Sequence, residues 1–457
     1  MAKKKEKTLE EKLQEALVPE NQWPYILPEN WCWTRLENVA NWGSGGTPSR
    51  KHPEYYQGNI PWIKTGELKD DFIYDAEEHI SEEAISKSNA KLFPVNTVVL
   101  AMYGATIGKA GIMGCELATN QACACGVSNE SINYRFLFEY IKSQKDGFIA
   151  SGKGGAQPNI SQQIIKSYPI PLPPLPEQKR IVHRIESLFA KLDEAKEKIQ
   201  QVLDGAEMRK AAILHKAFTG ELTKNWRKEN GISEDSWVEY TLQSVCTMKI
   251  TDGTHKTPTY SDKENGVVFL SAKDITSGEI NWENTKYITS ELHKELYSRL
   301  APQINDILLA KNGTTGVGAL VKEDKVFDIY VTLALLRPNV EIVIPEYLLN
   351  IINSPLCKVQ FNENLTGIGV PNLHLRDIKD VKIKVPSISE QEIISDKVEM
   401  LLANEGMVTK NCLKQIEVID TMKKSILAKA FRGELGTNNP TEDSALNLLK
   451  EVLQDKS

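Results

Sequence analysis

AILHKAFTGEL, Ala212 to Leu222, returns near the far end of the chain as SILAKAFRGEL, Ser425 to Leu435, and this repetition decides the architecture. Upstream, IPLPPLPEQ (170–178) returns as IKVPSISEQ (383–391) at the same offset of 213 residues. The segment between the two matches therefore has one length in both copies. Toward each start the match persists while the offset drifts. Pro158-Asn159-Ile160 answers Pro371-Asn372-Leu373 at 213, Gly104-Ala105-Thr106 answers Gly313-Thr314-Thr315 at 209, Trp62 answers Phe269 at 207 and Leu36 answers Leu242 at 206. Insertions fall in the first part of each repeat and spare the last, as variable loops on a scaffold followed by a fixed spacer would produce.

The fixed part reads as helix. No proline interrupts Glu177 to Phe218, and Ile185, Leu188, Leu192, Ala195, Ile199, Val202 and Ala206 follow one another at steps of three and four, a heptad seam. PLPPLPEQ favours extended backbone before the helix, Glu177 suits its first turn and Gly220 marks its end. The second copy, Glu390 to Phe431, keeps Val398, Leu401, Val408, Cys412, Ile419 and Ile426 on its seam, interrupted by Glu405 and Gln415. About 42 residues at roughly 1.5 Å each give a rod of about 60 Å, which needs a partner for its apolar stripe. Its own repeat is the available partner. If one helix carries the chain away and the other returns it, the pair is antiparallel, and the globular parts lie at opposite ends about a pseudo-two-fold axis. Those parts mix apolar strands such as NTVVLAMYG (96–104) and NDILLAKNG (305–313) with helical stretches such as YRFLFEYIKS (134–143). The fold expected is mixed α/β: two loop-rich α/β domains alternating with two long antiparallel coiled-coil helices. The boundaries are a tail and short helix to 19, a domain at 20–175, a helix at 176–222, a linker at 223–236, a domain at 237–386, a helix at 387–435, and a flexible tail with a short helix at 436–457.

Composition excludes several classes. No apolar run approaches the roughly 20 residues of a membrane helix, and MAKKKEKTLEEKLQ has no apolar core behind its lysines, so a cytoplasmic chain with no membrane partner is expected. The seven cysteines lack paired CxxC spacing, and the seven histidines form no HExxH, so neither a disulfide framework nor a metal site is expected. Cys123 and Cys125 read as buried, unreactive thiols. The net charge of −6 argues weakly against nucleic acid, although cations can gather on one face. Asn59-Ile60-Pro61-Trp62 fits the loose pattern of an amino-methyltransferase motif but lacks a glycine-rich cofactor loop, and its counterpart, Val267-Val268-Phe269-Leu270, keeps only the shape. Gly147 to Lys153 matches a phosphate loop until Gly154 replaces the magnesium-binding hydroxyl.

The glycine-rich loops are different. Gly45-Gly46-Thr47-Pro48-Ser49-Arg50 and Asp252-Gly253-Thr254-His255-Lys256-Thr257-Pro258 offer backbone amides, hydroxyls and cations that suit phosphate oxygens, with plain turns as the alternative. Lys109, after GATIG, and Lys311-Asn312, before GTTG, stand at expected strand ends. Asn159 and Asn372 read as turn or cap residues.

In their order these residues resemble the specificity subunit of Type I restriction-modification enzymes. The resemblance rests on ENWCWTRLENV with GGTPSR, PLPPLPEQKRIV and ILHKAFTGEL in the first half. It rests on SWVEYTLQSV with DGTHKTP, VPSISEQEII and ILAKAFRGEL in the second. It implies two target-recognition domains joined by the two helices, reading a bipartite asymmetric site in double-stranded DNA, with no catalytic centre. The implied partners are two methyltransferase subunits and the restriction subunits, on which S-adenosylmethionine, ATP and Mg are expected; this chain is expected to bind no cofactor. Expected DNA-contacting residues are Thr47, Ser49, Arg50, Lys64, Tyr103, Thr106, Lys109 and Lys153 in the first repeat, and Thr254, His255, Lys256, Thr257, Lys273, Lys311, Asn312 and Thr315 in the second. The competing readings are a self-contained methyltransferase or nuclease with its own recognition domain, and a coiled-coil adaptor.

Overall fold

Each repeat opens and closes on the same two-stranded ribbon. In the computed structural model, which describes residues 7–152, 159–365 and 371–455, Cys32–Arg35 pairs antiparallel with Pro169–Leu172, and Val238–Thr241 pairs in the same way with Lys382–Val385. Pro169 and Pro171 are tolerated because their strand is an edge strand, paired on one side with Cys32–Arg35. Between the ribbon strands lie two small sheets whose central strands recur, while edge strands such as Phe72–Ile73 and Leu92–Phe93 in the first repeat and Tyr260–Ser261 in the second have no counterpart. Val98–Ala101 sits between Cys123–Ser128 and Ala110–Met113 in the first repeat, as Ile307–Ala310 sits between Leu333–Leu336 and Gly318–Leu320 in the second. In the other sheet Ile60–Ile63 runs parallel to Leu117–Thr119, as Val267–Leu270 runs parallel to Phe327–Ile329. Asn59 to Trp62, the methyltransferase-like stretch, leads into and lies on this strand, with Trp62 buried.

The chain divides into two compact units, Met1–Lys198 with Gln415–Ser457, and Ile199–Lys414. The first long helix runs Leu175–Asp204 and, after Gly205, Ala206–Phe218; the second is Ile388–Phe431, 44 residues without interruption. Within the first unit the helices are antiparallel, since Lys196 meets Asp420 at 2.8 Å and Asp193 meets Lys423 at 2.5 Å. Within the second unit Arg209 meets Glu405 at 3.0 Å in the same sense. The single heptad run expected through Val202 is corrected here. Val202 is exposed and Leu203 is half-buried, because the seam takes a step of four from Ile199 as it approaches the break at Gly205. Glu405 is no interruption, since its carboxylate lies against the first helix and both its oxygens accept from Arg209 Nε.

Each helix ends in the core of the opposite repeat. Phe218 packs edge-on against Tyr347 with ring centroids 5.2 Å apart, and Phe431 packs likewise against Tyr140 at 5.1 Å. The repeated KAF thus plugs each core. The repeated Glu-Gln locks each lead-in, and all four side chains are fully buried. Gln178 accepts from Asn133 N and donates to Ser131 O and Pro173 O; Gln391 accepts from Ile344 N and donates to Ile342 O and Pro386 O. Glu177 accepts from the indole N–H of Trp31 at 2.8 Å, and Glu390 from that of Trp237 at 3.2 Å.

The stretches expected to be a linker and a flexible tail do the same job in the two units. Thr223 and Arg227 of the linker are buried on Glu390, while Thr437 of the tail donates to Glu177 and Glu442 pairs with Arg180 at 2.7 Å. The tail is held by these bonds, and its last helix, Ala445–Asp455, buries Ala445, Leu449 and Val452 against the N-terminal side, where Leu9–Ala16 begins on a Thr8/Glu11 capping box. Among the described residues no helix is long and apolar enough to cross a membrane.

Candidate nucleic-acid interface

The two glycine loops owe their first glycine to one crossing. A Cβ on Gly45 would lie 1.9 Å from the carbonyl oxygen of Thr119, and a Cβ on Gly253 would lie 1.9 Å from that of Ile329, so no larger residue fits where the loop passes the parallel strand. The next residue bonds that same carbonyl: Gly46 N to Thr119 O at 2.9 Å, Thr254 N to Ile329 O at 3.1 Å. The loops therefore leave their sheets at equivalent points, and their tips then diverge.

In the first unit the tip carries Arg50, 59% exposed, with its guanidinium 3.9 Å above the Tyr56 ring and Nη2 2.6 Å from Glu78. Lys64, from the end of strand Ile60–Ile63, holds the other Glu78 oxygen, and both cations lie 5.8 Å from the Trp62 ring centroid. Cation–π attraction and a shared carboxylate keep the two charges extended and still partly in water. The bond from Lys64 holds the Glu78 carboxyl below the ordinary glutamate value, and the same bond raises the Lys64 ammonium. Thr47 Oγ1 donates to Gln121, and Ser49 Oγ accepts from Lys51 N at 3.3 Å. Tyr103 is exposed and lines a shallow groove of about 520 Å³ with Asn159, to which its backbone bridges; Thr106 donates to Tyr103 O, and Lys109 lies half-buried after the hairpin tip. Lys153 lies outside the described residues.

In the second unit His255, Lys256 and Thr257 are exposed and Thr254 is buried, its backbone bridging to Tyr330. Lys256 reaches Glu295 at 2.5 Å, and His255 Nε2 lies 3.3 Å from Asp252. An open cleft of about 600 Å³ brings together Lys273 and Asn312 with Tyr260, Phe269, Lys286 and Tyr330. Lys286 sits 4.4 Å over the Tyr260 ring and donates to its hydroxyl at 3.2 Å. Asn312 bridges to Asn372 as Tyr103 does to Asn159, so these two unlike side chains hold one structural position; Thr315 follows in the same half-exposed hairpin. Lys311, by contrast, is only 7% exposed and its ammonium lies 2.5 Å from Asp252, so its charge is spent inside the protein.

Sequence reading missed Tyr56, Glu78, Tyr260 and Lys286, which supply the aromatic faces and the restraining charge. Lys286 beside Tyr287 in KYITSEL (286–292) and the paired tyrosines of PEYY (53–56) were the available signal. Each surface offers cations and amide donors for phosphates and base edges, with rings for apolar contact. Cys123 and Cys125 are buried on strand Cys123–Ser128, and burial pushes the Cys125 thiol up to about 12, which leaves it protonated and inert.

The family model described as the Type I restriction modification DNA specificity domain matches residues 28–204 and again 234–418. Among curated proteins, the chain is 26% identical to the Type I restriction enzyme EcoBI specificity subunit of Escherichia coli over 75% of this chain and 76% of that one. It is 24% identical to the EcoKI specificity subunit of Escherichia coli (strain K12), over 94% and 96%. Among solved structures, a chain described under complex assembly and conformational transition of the type I R-M system shares its fold at a TM-score of 0.67 and 20% identity, over 90% of this chain and 100% of that one. The HsdS subunit from Thermoanaerobacter tengcongensis does so at 0.60 and 18%, over 91% and 100%.

Proposed function

The chain belongs to the Type I restriction-modification DNA specificity family, and we propose from that premise that it is the subunit that selects the DNA sequence on which such a complex acts. It binds double-stranded DNA at two separated half-sites, one for each unit, and leaves chemistry to methyltransferase and restriction subunits that hold S-adenosylmethionine, ATP and Mg. One observation carries this reading: two loop clusters start from equivalent backbone crossings at Gly45 and Gly253 and present unlike side chains, Arg50 and Tyr103 in one and Lys256 and Asn312 in the other. Similar scaffolds with different tips suit two different half-sites, so the site is bipartite and asymmetric. Arg50, Lys64, Lys256 and Lys273 are partly or fully exposed cations suited to phosphate, and Tyr103 and Asn312 occupy the strand-end position from which a side chain can meet a base edge.

Co-expression with the methyltransferase subunit of the same system tests this. The complex should protect one bipartite sequence. Replacing Arg50 and Lys64 together by Ala should weaken its binding and reduce the salt slope by about 1 for each phosphate left without its cation. An unchanged affinity and slope would remove this surface from the interface.

A further inference from the structure

The second recognition loop carries a charge pair that the first lacks. Asp252 is the last residue of strand Thr251–Asp252, directly before Gly253, and its partner on the neighbouring strand is Ala334. The equivalent partner in the first unit, Ala124, faces Ser44. Lys311 directly follows strand Ile307–Ala310, and Met102 follows Val98–Ala101 at the same place. Ser44 and Met102 are thus replaced by a buried carboxylate and a buried ammonium, 5% and 7% exposed, 2.5 Å apart.

The pair is tied to the loop on one side and to its surroundings on the other. His255, the first exposed residue of the tip, lies 3.3 Å from the same carboxylate. The Asp252 carbonyl accepts from Arg299 Nη2 at 3.0 Å, which ties the loop base to helix Ser290–Arg299. On the other side, Lys311 N donates to Thr332 O, and Leu373 N donates to Lys311 O. Lys311 also immediately precedes Asn312, which lines the aromatic cleft. One ion pair therefore fixes two neighbouring parts of the interface against each other.

We propose that Asp252 and Lys311 are positioning residues for the half-site read by the second unit: together they set the Gly253–Pro258 loop against Asn312, and neither touches DNA. This rests on the DNA-reading function above. A buried ion pair is a poor source of net stability but a strong constraint on arrangement, because removing one partner strands the other charge. The first unit achieves its loop geometry with Ser44 and Met102, so the uncharged pair is compatible with the scaffold.

The test uses the full chain with its methyltransferase subunits and duplexes in which one half-site at a time is scrambled. If unaltered complex shows no preference for any bipartite site, the functional reading fails and the positioning claim with it. If it does discriminate, Lys311→Met should lower affinity for the intact site by about ten-fold or more. That loss should fall on discrimination at the second half-site, leave the first unchanged, and leave the salt slope unchanged. The double variant Asp252→Ser with Lys311→Met, which installs the first unit's pair, should recover most of the discrimination. A slope reduced by about 1 with discrimination intact would mean that Lys311 reaches a phosphate, and would overturn the proposal. So would an unaffected single variant. If Lys311→Met weakens both half-sites by unfolding the chain, recovery in the double variant upholds the proposal and failure to recover overturns it.

Discussion

Glu177 and Glu390 occupy one position in the two repeats, both fully buried, with different neighbours. Glu390 has the Arg227 guanidinium at 2.6 Å, whereas among the described residues Glu177 has the Trp31 indole and the Thr437 hydroxyl as its side-chain donors, Arg180 being turned to Glu442. Burial therefore holds the Glu177 carboxyl above the ordinary glutamate value, against the opposing pull of those hydrogen bonds and of Arg180. A carboxyl raised in the folded state binds its proton more tightly there, so it weakens folding as pH rises from about 4.3 through the folded value. Glu177→Gln removes that loss. The variant should gain on the parent over this window and hold its advantage above it, measured as the difference between their pH–stability curves; a variant that falls behind as pH rises contradicts the assignment. Glu78, lowered by Lys64, acts with the opposite sign: its pairing contributes above the ordinary glutamate value and is lost as pH falls. Little of this was legible. Glu177 read as a first-turn acid, because the donor that buries it lies 146 residues away, and Lys311 read as a surface cation because nothing local marks Asp252 as its partner. The glycines of the loops, by contrast, were visible, though the carbonyl that requires them was not.

The long helices were the most legible elements, since an apolar seam at steps of three and four needs no tertiary knowledge. What escaped was the small shift from Val202 to Leu203, which follows from the antiparallel partner and the break at Gly205, and the inward use of Glu405 by Arg209. The repeated KAF was recognised as a repeat, but its meaning lies in Tyr140 and Tyr347, each far away in the sequence and in the opposite copy. Phe431 is 1% exposed and meets both Phe136 and Tyr140 edge-on. Phe431→Ala should cost the first unit about 3–5 kcal/mol, through reduced burial and the cavity left behind. Hydrogen exchange should register this as faster exchange in Val98–Ala101 with Ile307–Ala310 unaffected, since Phe218 plugs the second unit. Equal acceleration in both strands would show that the units do not have separate cores.

At the scale of the whole chain, the two units are built on one plan from separated stretches, the first from both ends of the sequence and the second from its middle. That plan was legible as the constant offset of 213 across the helices against the drifting offsets in the loops. The roles of the 223–236 stretch and of the tail were not, because polar sequence reads as linker until Arg227 and Glu442 find their partners. Four residues, about one turn, inserted into the first helix after Ala195 should lengthen it by about 6 Å, nearly two base pairs at about 3.4 Å each. If the second helix accommodates the change, the spacer between half-sites lengthens while both half-site sequences stay fixed. The central claim, two units reading two half-sites, meets its most direct test in methylation mapping across a genome in cells that express this chain with its methyltransferase subunits. The predicted result is a single motif of two unlike half-sites separated by a spacer of constant length and no base preference. A continuous motif, or a palindrome with identical halves, would contradict it.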